Sequence, residues 1–306
     1  MKKVLITGVA GFIGSHVAKR FLDESYAVVG IDDLSGGKLK NIHPDIEFIK
    51  GDLADPTTIL KIPSGCELIL HLAGQSSGEI SFDNPVADLE KNVITTLNLI
   101  QYAIEQRVKK FVYASSMSVY GKVPDMPVKE SVVASPLSCY GVGKLASEGY
   151  LKVYQNKLPF VIMRMFNVYG PGQDLSNLRQ GMVSIYLAQA LRNKQILVKG
   201  GVERYRDFIF IDDVVEAWFK VSTIPGIENM TFNLGTGKRT SIHQLLKIIC
   251  DCIQDTEFYV QDSTPGDQNG VYADNEALLR ATGIKNFIPL ENGLHHFYEW
   301  AKNNAL

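Results

Sequence analysis

The chain has 306 residues, 45% of them apolar, and a formal net charge of −2, enough to bury a large core in one nucleotide-binding domain plus a smaller lobe. The near-balanced charge and the lack of a lysine/arginine run argue against a nucleic-acid or membrane-surface partner. No window of about 18 apolar residues suggests a membrane span, the brief signal-like start at Met1-Lys2-Lys3 is cut short by His16, Lys19 and Arg20, and Cys66, Cys139, Cys250 and Cys252 form no C-x-x-C pair and read as reduced cytoplasmic thiols.

Residues 3–7 read as a short buried strand. Gly8, Gly11 and Gly14 follow, with Phe12 and Ile13 between the last two, and open a helical pattern through His16, Ala18 and Phe21. A strand, a glycine turn and a helix start place backbone N–H groups where a pyrophosphate is stabilised. The spacing, G-x-x-G-x-x-G, is one residue longer than the usual dinucleotide fingerprint. A second strand at 27–31 ends at Asp32, whose carboxylate can accept both adenosine ribose hydroxyls and repel a 2′-phosphate. Asp33 adds to that repulsion, so NAD is expected over NADP.

Residues 46–50, 67–72, 111–114 and 160–165 read as further strands, and 86–105 and 140–154 as helices by their apolar spacing. This alternation predicts an α/β fold, a Rossmann-type doubly wound parallel sheet with a smaller C-terminal α/β substrate lobe. Past Asn167 the alternation loosens at Tyr169-Gly170-Pro171-Gly172. A helix at 182–192, a strand at 209–211 and a helix at 214–221, opened by Asp212-Asp213, complete the reading. The expected division is 1–166 plus about 208–232 for the dinucleotide domain, and about 167–207 plus 233–306 for the substrate lobe.

The chemistry concentrates at Ser115-Ser116, Tyr140 and Lys144. Tyrosine and lysine four apart on a helix share a face. A phenol with a pKa of about 10 is too weak a base at neutral pH. An ammonium alongside favours the phenolate, and a shift of ~3 units requires roughly 4 kcal/mol. With the glycine turn and Asp32, the cluster reads as an alcohol-oxidising base beside a hydride acceptor. By itself Tyr-x-x-x-Lys is more often a solvated pair. His16, His43, His71, His243, His295 and His296 are scattered without metal-ligand spacing, so no metal is expected.

These motifs occur in an order that resembles the NAD-dependent nucleotide-sugar epimerase/dehydratase family of extended short-chain dehydrogenases/reductases, most of all the UDP-hexose 4-epimerases. The likeness runs nearly end to end. It includes Thr7-Gly8-x-x-Gly11-Phe12-Ile13-Gly14, Gly51-Asp52-Leu53, His71-Leu72-Ala73 and Ser115-Ser116-x-x-Val119-Tyr120-Gly121. It continues through Tyr140-x-x-x-Lys144, Arg164-x-x-Asn167-Val168-Tyr169-Gly170-Pro171-Gly172, Arg206-Asp207-Phe208 and Asn233-Leu234-Gly235. The resemblance implies that Asp52 meets the adenine amino group with Leu53 beside the ring, and that Leu72 and Ala73 belong to the cofactor site. It also implies that Lys144 binds the nicotinamide ribose while holding Tyr140 ionised, and that Ser116 bridges the sugar 4-oxygen to the phenolate. Asn167 and Arg206 align with contacts to the diphosphate of a UDP-sugar, and Val198 and Lys199 fall where the uracil is flanked. Ser77 could reach a sugar hydroxyl, or could be a simple turn serine.

The sequence also departs from the family. The 4,6-dehydratases carry Asp-Glu after the catalytic Thr, where this chain has Met117 and Ser118, so dehydration is not expected. A UDP-glucuronate decarboxylase, which usually has Glu at the second position, is disfavoured too. Gly74, Ser76 and Gly78 replace an alanine and valines and loosen that wall. Thr264 stands where an arginine precedes Pro-Gly-Asp, with Arg179, Arg204 or Lys238 as candidate replacements. Val271 takes the place of a tyrosine that excludes N-acetylated sugars in some 4-epimerases. The expected activity is therefore NAD-dependent 4-epimerisation of UDP-glucose or UDP-N-acetylglucosamine through a transient 4-keto intermediate. The alternatives are a nucleotide-sugar 4-ketoreductase, opposed by Asp32, and a non-catalytic dinucleotide-binding protein, opposed by the retained Ser/Tyr/Lys set. Family members imply a cytoplasmic homodimer pairing helices 86–105 and 140–154.

Overall fold

A computed structural model describes residues 2–261 and 269–304. Seven strands form one parallel sheet: β1 (Lys3–Thr7), β2 (Ala27–Asp32), β3 (Glu47–Lys50), β4 (Leu68–His71), β5 (Lys110–Ser116), β6 (Phe160–Met165) and, later in the chain, β11 (Met230–Leu234). Their order is β11-β6-β5-β4-β1-β2-β3. The order reverses between β1 and β4, which opens a crevice beyond their C-terminal ends. The strands carry runs of Val, Ile and Leu because both faces are covered. In β1, Val4 and Ile6 pack with Phe21 of α1 (Phe12–Asp23) and Trp218 of α7 (Ile211–Thr223), whereas Leu5 faces Leu99 and Leu151 on the other side. Burying a side chain such as Phe21 contributes on the order of 2–3 kcal/mol.

That other side is covered by α2 (Pro56–Ile59), α4 (Thr95–Glu105) and α5 (Cys139–Val153). The helix expected over 86–105 is not uniform. It begins as α3 (Pro85–Leu89), with Pro85 in its first turn and the Asn84 side chain accepting from Ala87 N, and passes through a π turn (Glu90–Ile94) before α4. The hydroxyls of Thr95 and Thr96 donate back to the carbonyls of Lys91 and Asn92 at 2.8 and 2.7 Å, and Ser147 of α5 also donates to Asn92 O at 3.0 Å. Such side-chain bonds satisfy carbonyls where a regular ladder is disturbed.

The remaining elements pack at one end of the sheet. They are β7 (Asn167–Tyr169) beside β10 (Phe208–Phe210), β8 (Gln195–Lys199) beside β13 (Glu257–Gln261), and β9 (Tyr205–Arg206) between β12 (Thr240–Ser241) and β14 (Gly270–Val271). Helices α6 (Met182–Asn193), α8 (Ile242–Cys252) and α10 (Leu290–Asn304) surround a second core. Two elements differ from the expected division. β11 extends to Leu234, and α9 (Glu276–Thr282) inserts Leu278 into the core beneath the large sheet. Both therefore belong with the seven-stranded sheet, because their apolar faces are buried there. No helix among the described residues is long and apolar enough to cross a membrane.

Candidate active site

A cleft of about 1100 Å³ lies along the C-terminal ends of β1, β2 and β4. Its floor is the glycine turn. A Cβ on Gly14 would lie 2.0 Å from the Gly8 carbonyl oxygen, so only glycine lets α1 begin this close to the turn. The α1 N-terminus has Gly11 as its cap, no side-chain oxygen bonded to it and no acidic residue in its first turn, which leaves it suited to an anion. Phe12 and Ile13 line the same cleft.

Asp32, at the end of β2, accepts from Leu34 N at 2.8 Å and Ala10 N at 3.0 Å, so it also ties the glycine turn to β2. Burial raises its pKa, and those two N–H bonds work against the rise. Asp33 and Asp52 flank it along the cleft, bridged by the ammonium of Lys91 at 2.5 and 2.7 Å. Burial pushes the Asp33 carboxyl up, but Lys91 and Ser35 outweigh it and hold the group below its usual range.

Leu53, Leu72 and Ala73 also line the cleft. The N–H groups of Leu72 and Ala73 donate to Thr7 Oγ1 at 3.2 and 3.1 Å. Thr7 Oγ1 lies 2.8 Å from His71 Nδ1, and His71 Nε2 lies 3.1 Å from Thr96 Oγ1. Because Thr96 spends its proton on Asn92 O, it accepts from Nε2–H, and Nδ1 accepts from Thr7. Burial, with the charge of Lys144, lowers the His71 pKa to about 3. The ring is thus a neutral strut between the glycine turn and the π turn.

The Ser116, Tyr140 and Lys144 cluster forms where β5 meets α5. Ser138 caps α5 by accepting from Gly141 N at 3.1 Å. A Cβ on Gly141 would lie 2.6 Å from the Ser118 carbonyl oxygen, so glycine allows the helix start to sit against the end of β5. That approach brings Tyr140 into hydrogen-bonding relation with Ser116. Ser116 Oγ also donates to Ser118 Oγ at 3.2 Å and accepts from Ser118 N at 3.1 Å. Ser115 points away and donates to Glu148 Oε1 at 2.6 Å. Glu148 is fully buried and forms a two-pronged bond with Arg164, at 2.9 and 2.6 Å, which fixes α5 against β6.

Lys144 Nζ lies 5.7 Å from the Tyr140 ring centre and 5.0 Å from that of Tyr113. The expectation of an ionised phenol needs correction for the protein without its cofactor. Burial pushes Tyr140 up to about 12, against the lowering effect of the Ser116 hydrogen bond. Burial likewise lowers Lys144 to about 8, while the charge of Asp88 raises it. At neutral pH the phenol is therefore protonated and uncharged, while Lys144 keeps most of its positive charge.

Asp88 and Asn92, which the sequence reading passed over, sit beside them. Asp88 Oδ1 accepts from Gln75 at 2.8 Å and Asn92 Nδ2 at 3.2 Å. Asn92 Oδ1 is buried without a hydrogen-bond partner. A Cβ on Gly74 would lie 2.6 Å from that oxygen and 3.4 Å from Lys144 Nζ. Both residues fall inside an amphipathic helical pattern, where charged and amide side chains read as a solvated face. The available signal was the pair Thr95-Thr96, whose hydroxyls can bond back along a helix.

The residues named for substrate are spread around this centre. Asn167 Nδ2 donates to Asp207 O at 2.9 Å and approaches Met117 Sδ at 3.5 Å. Arg206 and Val271 are cross-strand partners on β9 and β14. Burial and the charge of Arg204 pull the Arg206 guanidinium down to about 10, which leaves it charged at neutral pH. Asp207 beside it accepts from Thr236 N and Oγ1, Gly237 N and Ala273 N, so its carboxylate organises the neighbouring loops.

The other residues named for substrate have contacts of their own. Val198 is fully buried in the second core, because strand alternation turns its side chain inward and leaves only its backbone and exposed Lys199 for a base. Ser77 accepts from Ile80 N and donates to Arg179 O, both at 3.2 Å, which is the turn role. Arg179 is held by Glu79 and Asp83 at 3.3 and 2.8 Å. Arg204 donates to the carbonyls of Gly201 and Lys199, and Lys238 is exposed. Thr264 and the Pro-Gly-Asp after it lie outside the described residues. Among the described residues no group of three or more His, Cys, Asp or Glu is placed to hold a metal.

The glycine cradle, the uncapped helix start, the carboxylates beyond β2 and β3 and the orphaned Asn92 oxygen fit a dinucleotide. The sequence pattern of the NAD dependent epimerase/dehydratase family matches residues 4–235. UDP-glucose 4-epimerase of Mycolicibacterium smegmatis is 35% identical over 99% of both chains. The dTDP-D-glucose 4,6-dehydratase of Mus musculus is 31% identical over 99% of this chain and 89% of its own. The crystal structure of UDP-glucose 4-epimerase from Thermotoga maritima with UDP-glucose superposes with a TM-score of 0.94 at 32% identity, covering 99% of this chain and 100% of that one.

Proposed function

Since the chain belongs to the NAD-dependent epimerase/dehydratase family, with NAD as its cofactor, we propose that it is a nucleotide-sugar 4-epimerase acting on UDP-hexoses. The observation that carries this reading is the Ser116–Tyr140–Lys144 cluster followed by Met117 and Ser118. The bound dinucleotide supplies the acceptor and donor of hydride. Tyr140 removes the proton of the sugar 4-hydroxyl and returns it at the end of the cycle. Ser116 bridges the 4-oxygen to the phenol, and Lys144 supplies positive charge beside it. Asn167 and Arg206 hold the diphosphate, where a charged guanidinium offers paired donors.

Two proton-transfer carboxyls are needed to eliminate water across C5–C6, and neither Met117 nor Ser118 supplies one. This separates the proposed activity from that of the mouse relative. Val271 is buried among Val119, Tyr120 and Phe166, so in this reading it favours an acetamido group by its small size behind the site and not by direct contact. In this reading the seven-stranded sheet carries NAD and the elements beyond Asn167 carry the nucleotide sugar. The protein is taken to pair as a homodimer through α3–α4 and α5, where Val86, Leu89, Val142, Tyr150 and Val153 are exposed, a face suited to burial in a partner. Light scattering tests this.

The decisive experiment incubates the purified protein with UDP-glucose and UDP-N-acetylglucosamine separately, without added NAD, and follows C4 by NMR. Inversion at C4 without net consumption of cofactor is expected. A 4-keto sugar that forms only when NAD is added, with matching NADH, identifies a ketoreductase instead, and loss of water identifies a dehydratase.

A further inference from the structure

The π turn at Glu90–Ile94 sends neighbouring side chains to opposite ends of the cleft. Asn92 approaches the Gly74–Lys144 end, whereas Lys91 reaches the carboxylates beyond β2 and β3. π turns of this kind concentrate at functional sites. Three carboxylates crowd that far end, and their oxygens are already positioned by the turns they cap. Asp32 takes Leu34 N and Ala10 N, and Asp33 Oδ1 takes Ser35 N and Oγ at 2.8 and 2.6 Å. Asp52 Oδ1 takes Ala54 N at 2.9 Å. The second oxygens of Asp33 and Asp52 meet Lys91.

We propose that Lys91 is a cofactor-retaining residue: its ammonium locks Asp33 and Asp52 in place and offsets their charge, so that the adenosine end of NAD is held. This rests on the reading that the cleft binds NAD with its adenosine beside β2 and β3. Without Lys91 each of the two carboxylates loses one of its two fixed oxygens. The carboxylates would then repel one another and the incoming diphosphate. With Lys91 in place, Asp52 keeps lone pairs to accept an amino group, because an ionised carboxylate has about four acceptor positions. Burial alone lowers the Lys91 pKa, but the two carboxylates more than reverse this, and the group stays charged.

The test compares wild type, Lys91→Met and Lys91→Arg. The NAD that co-purifies is released and quantified, and the stripped proteins are titrated with NAD and with ADP-ribose, which carries only the adenosine half and the diphosphate with its second ribose. Wild type is expected to retain NAD. Lys91→Met should bind both ligands about 10–100-fold more weakly, the range of one charge-assisted hydrogen bond, with Lys91→Arg in between. The Met deficit should appear in the NAD concentration for half-maximal turnover, not in the pH at which turnover titrates. Thermal unfolding of the stripped proteins identifies a folding defect, and Lys91→Arg then decides. A variant that binds ADP-ribose as tightly as wild type overturns the Lys91 assignment alone. Wild type that binds neither ligand overturns the reading of the cleft and this assignment with it.

Discussion

Replacing Lys144 by Met tests how the base becomes active. The Tyr140 phenol starts at about 12 because it is buried. A unit charge 5.7 Å from the ring centre interacts by roughly 3 kcal/mol at an effective dielectric of about 20. That equals about 2 pKa units, so a charged lysine offsets only part of the rise that burial causes. The remaining shift must come from the cationic end of the cofactor. Lys144→Met removes one of the two cations, which raises the phenol pKa and moves the acidic limb of the rate profile upward. We expect a displacement of about 2 units and a fall of about 100-fold in kcat near pH 7.5, with partial recovery toward pH 10. The assay is kcat from pH 6 to 10 at saturating NAD, paired with phenolate absorbance of the loaded protein. An acidic limb that stays in place while activity falls would refute the reasoning and leave Lys144 as a ribose ligand only.

The same variant should stabilise the stripped protein. Burial lowers Lys144 to about 8 from an unfolded value near 10.4, so the unfolded chain binds the extra proton between those values. Stability therefore rises with pH across that window, and below it the buried charge costs roughly 3 kcal/mol. Lys144→Met should raise Tm at pH 7, and the gap should close toward pH 10; a constant gap would show another cause. Glu148→Met leaves Arg164 as a buried, unbalanced charge, which costs about 3–5 kcal/mol, and calorimetry should show a lowered Tm. Gly14→Ala places a methyl against the Gly8 carbonyl and should abolish NAD retention, read from the cofactor released on denaturation. Val271→Tyr should suppress turnover of UDP-N-acetylglucosamine at least 10-fold more than that of UDP-glucose; equal losses would remove Val271 from specificity.

The sheet was legible because its strands are continuous apolar runs between glycine turns, and every such segment from β1 to β6 lies where the alternation predicts. The glycines and strand-end acids that line the cleft were legible too, because they act through backbone geometry that is local in sequence. What escaped depends on contacts distant in the chain. Asp88 gains its role from Gln75, Asn92 and the charge of Lys144, and nothing in residues 86–105 announces those neighbours. The π turn escapes a periodicity argument that applies one period to all of 86–105, since the inserted residue advances the apolar pattern by one position partway along. Val198 was misjudged for a related reason: alignment with a binding position does not say which face of the strand its side chain occupies.

The buried Glu148–Arg164 bond also constrains the stereochemistry. It binds α5 to β6 one turn beyond Lys144, and shifting that helix would strand two opposite charges in an apolar interior. The proton acceptor therefore cannot migrate to serve both sides of a planar carbonyl. In the proposed epimerisation, a ring carbon can receive hydrogen from the other direction only if the sugar pivots about its phosphate tether while the protein stays still. An enzyme made this way should tolerate several sugars of similar size, because it grips the handle more firmly than the ring.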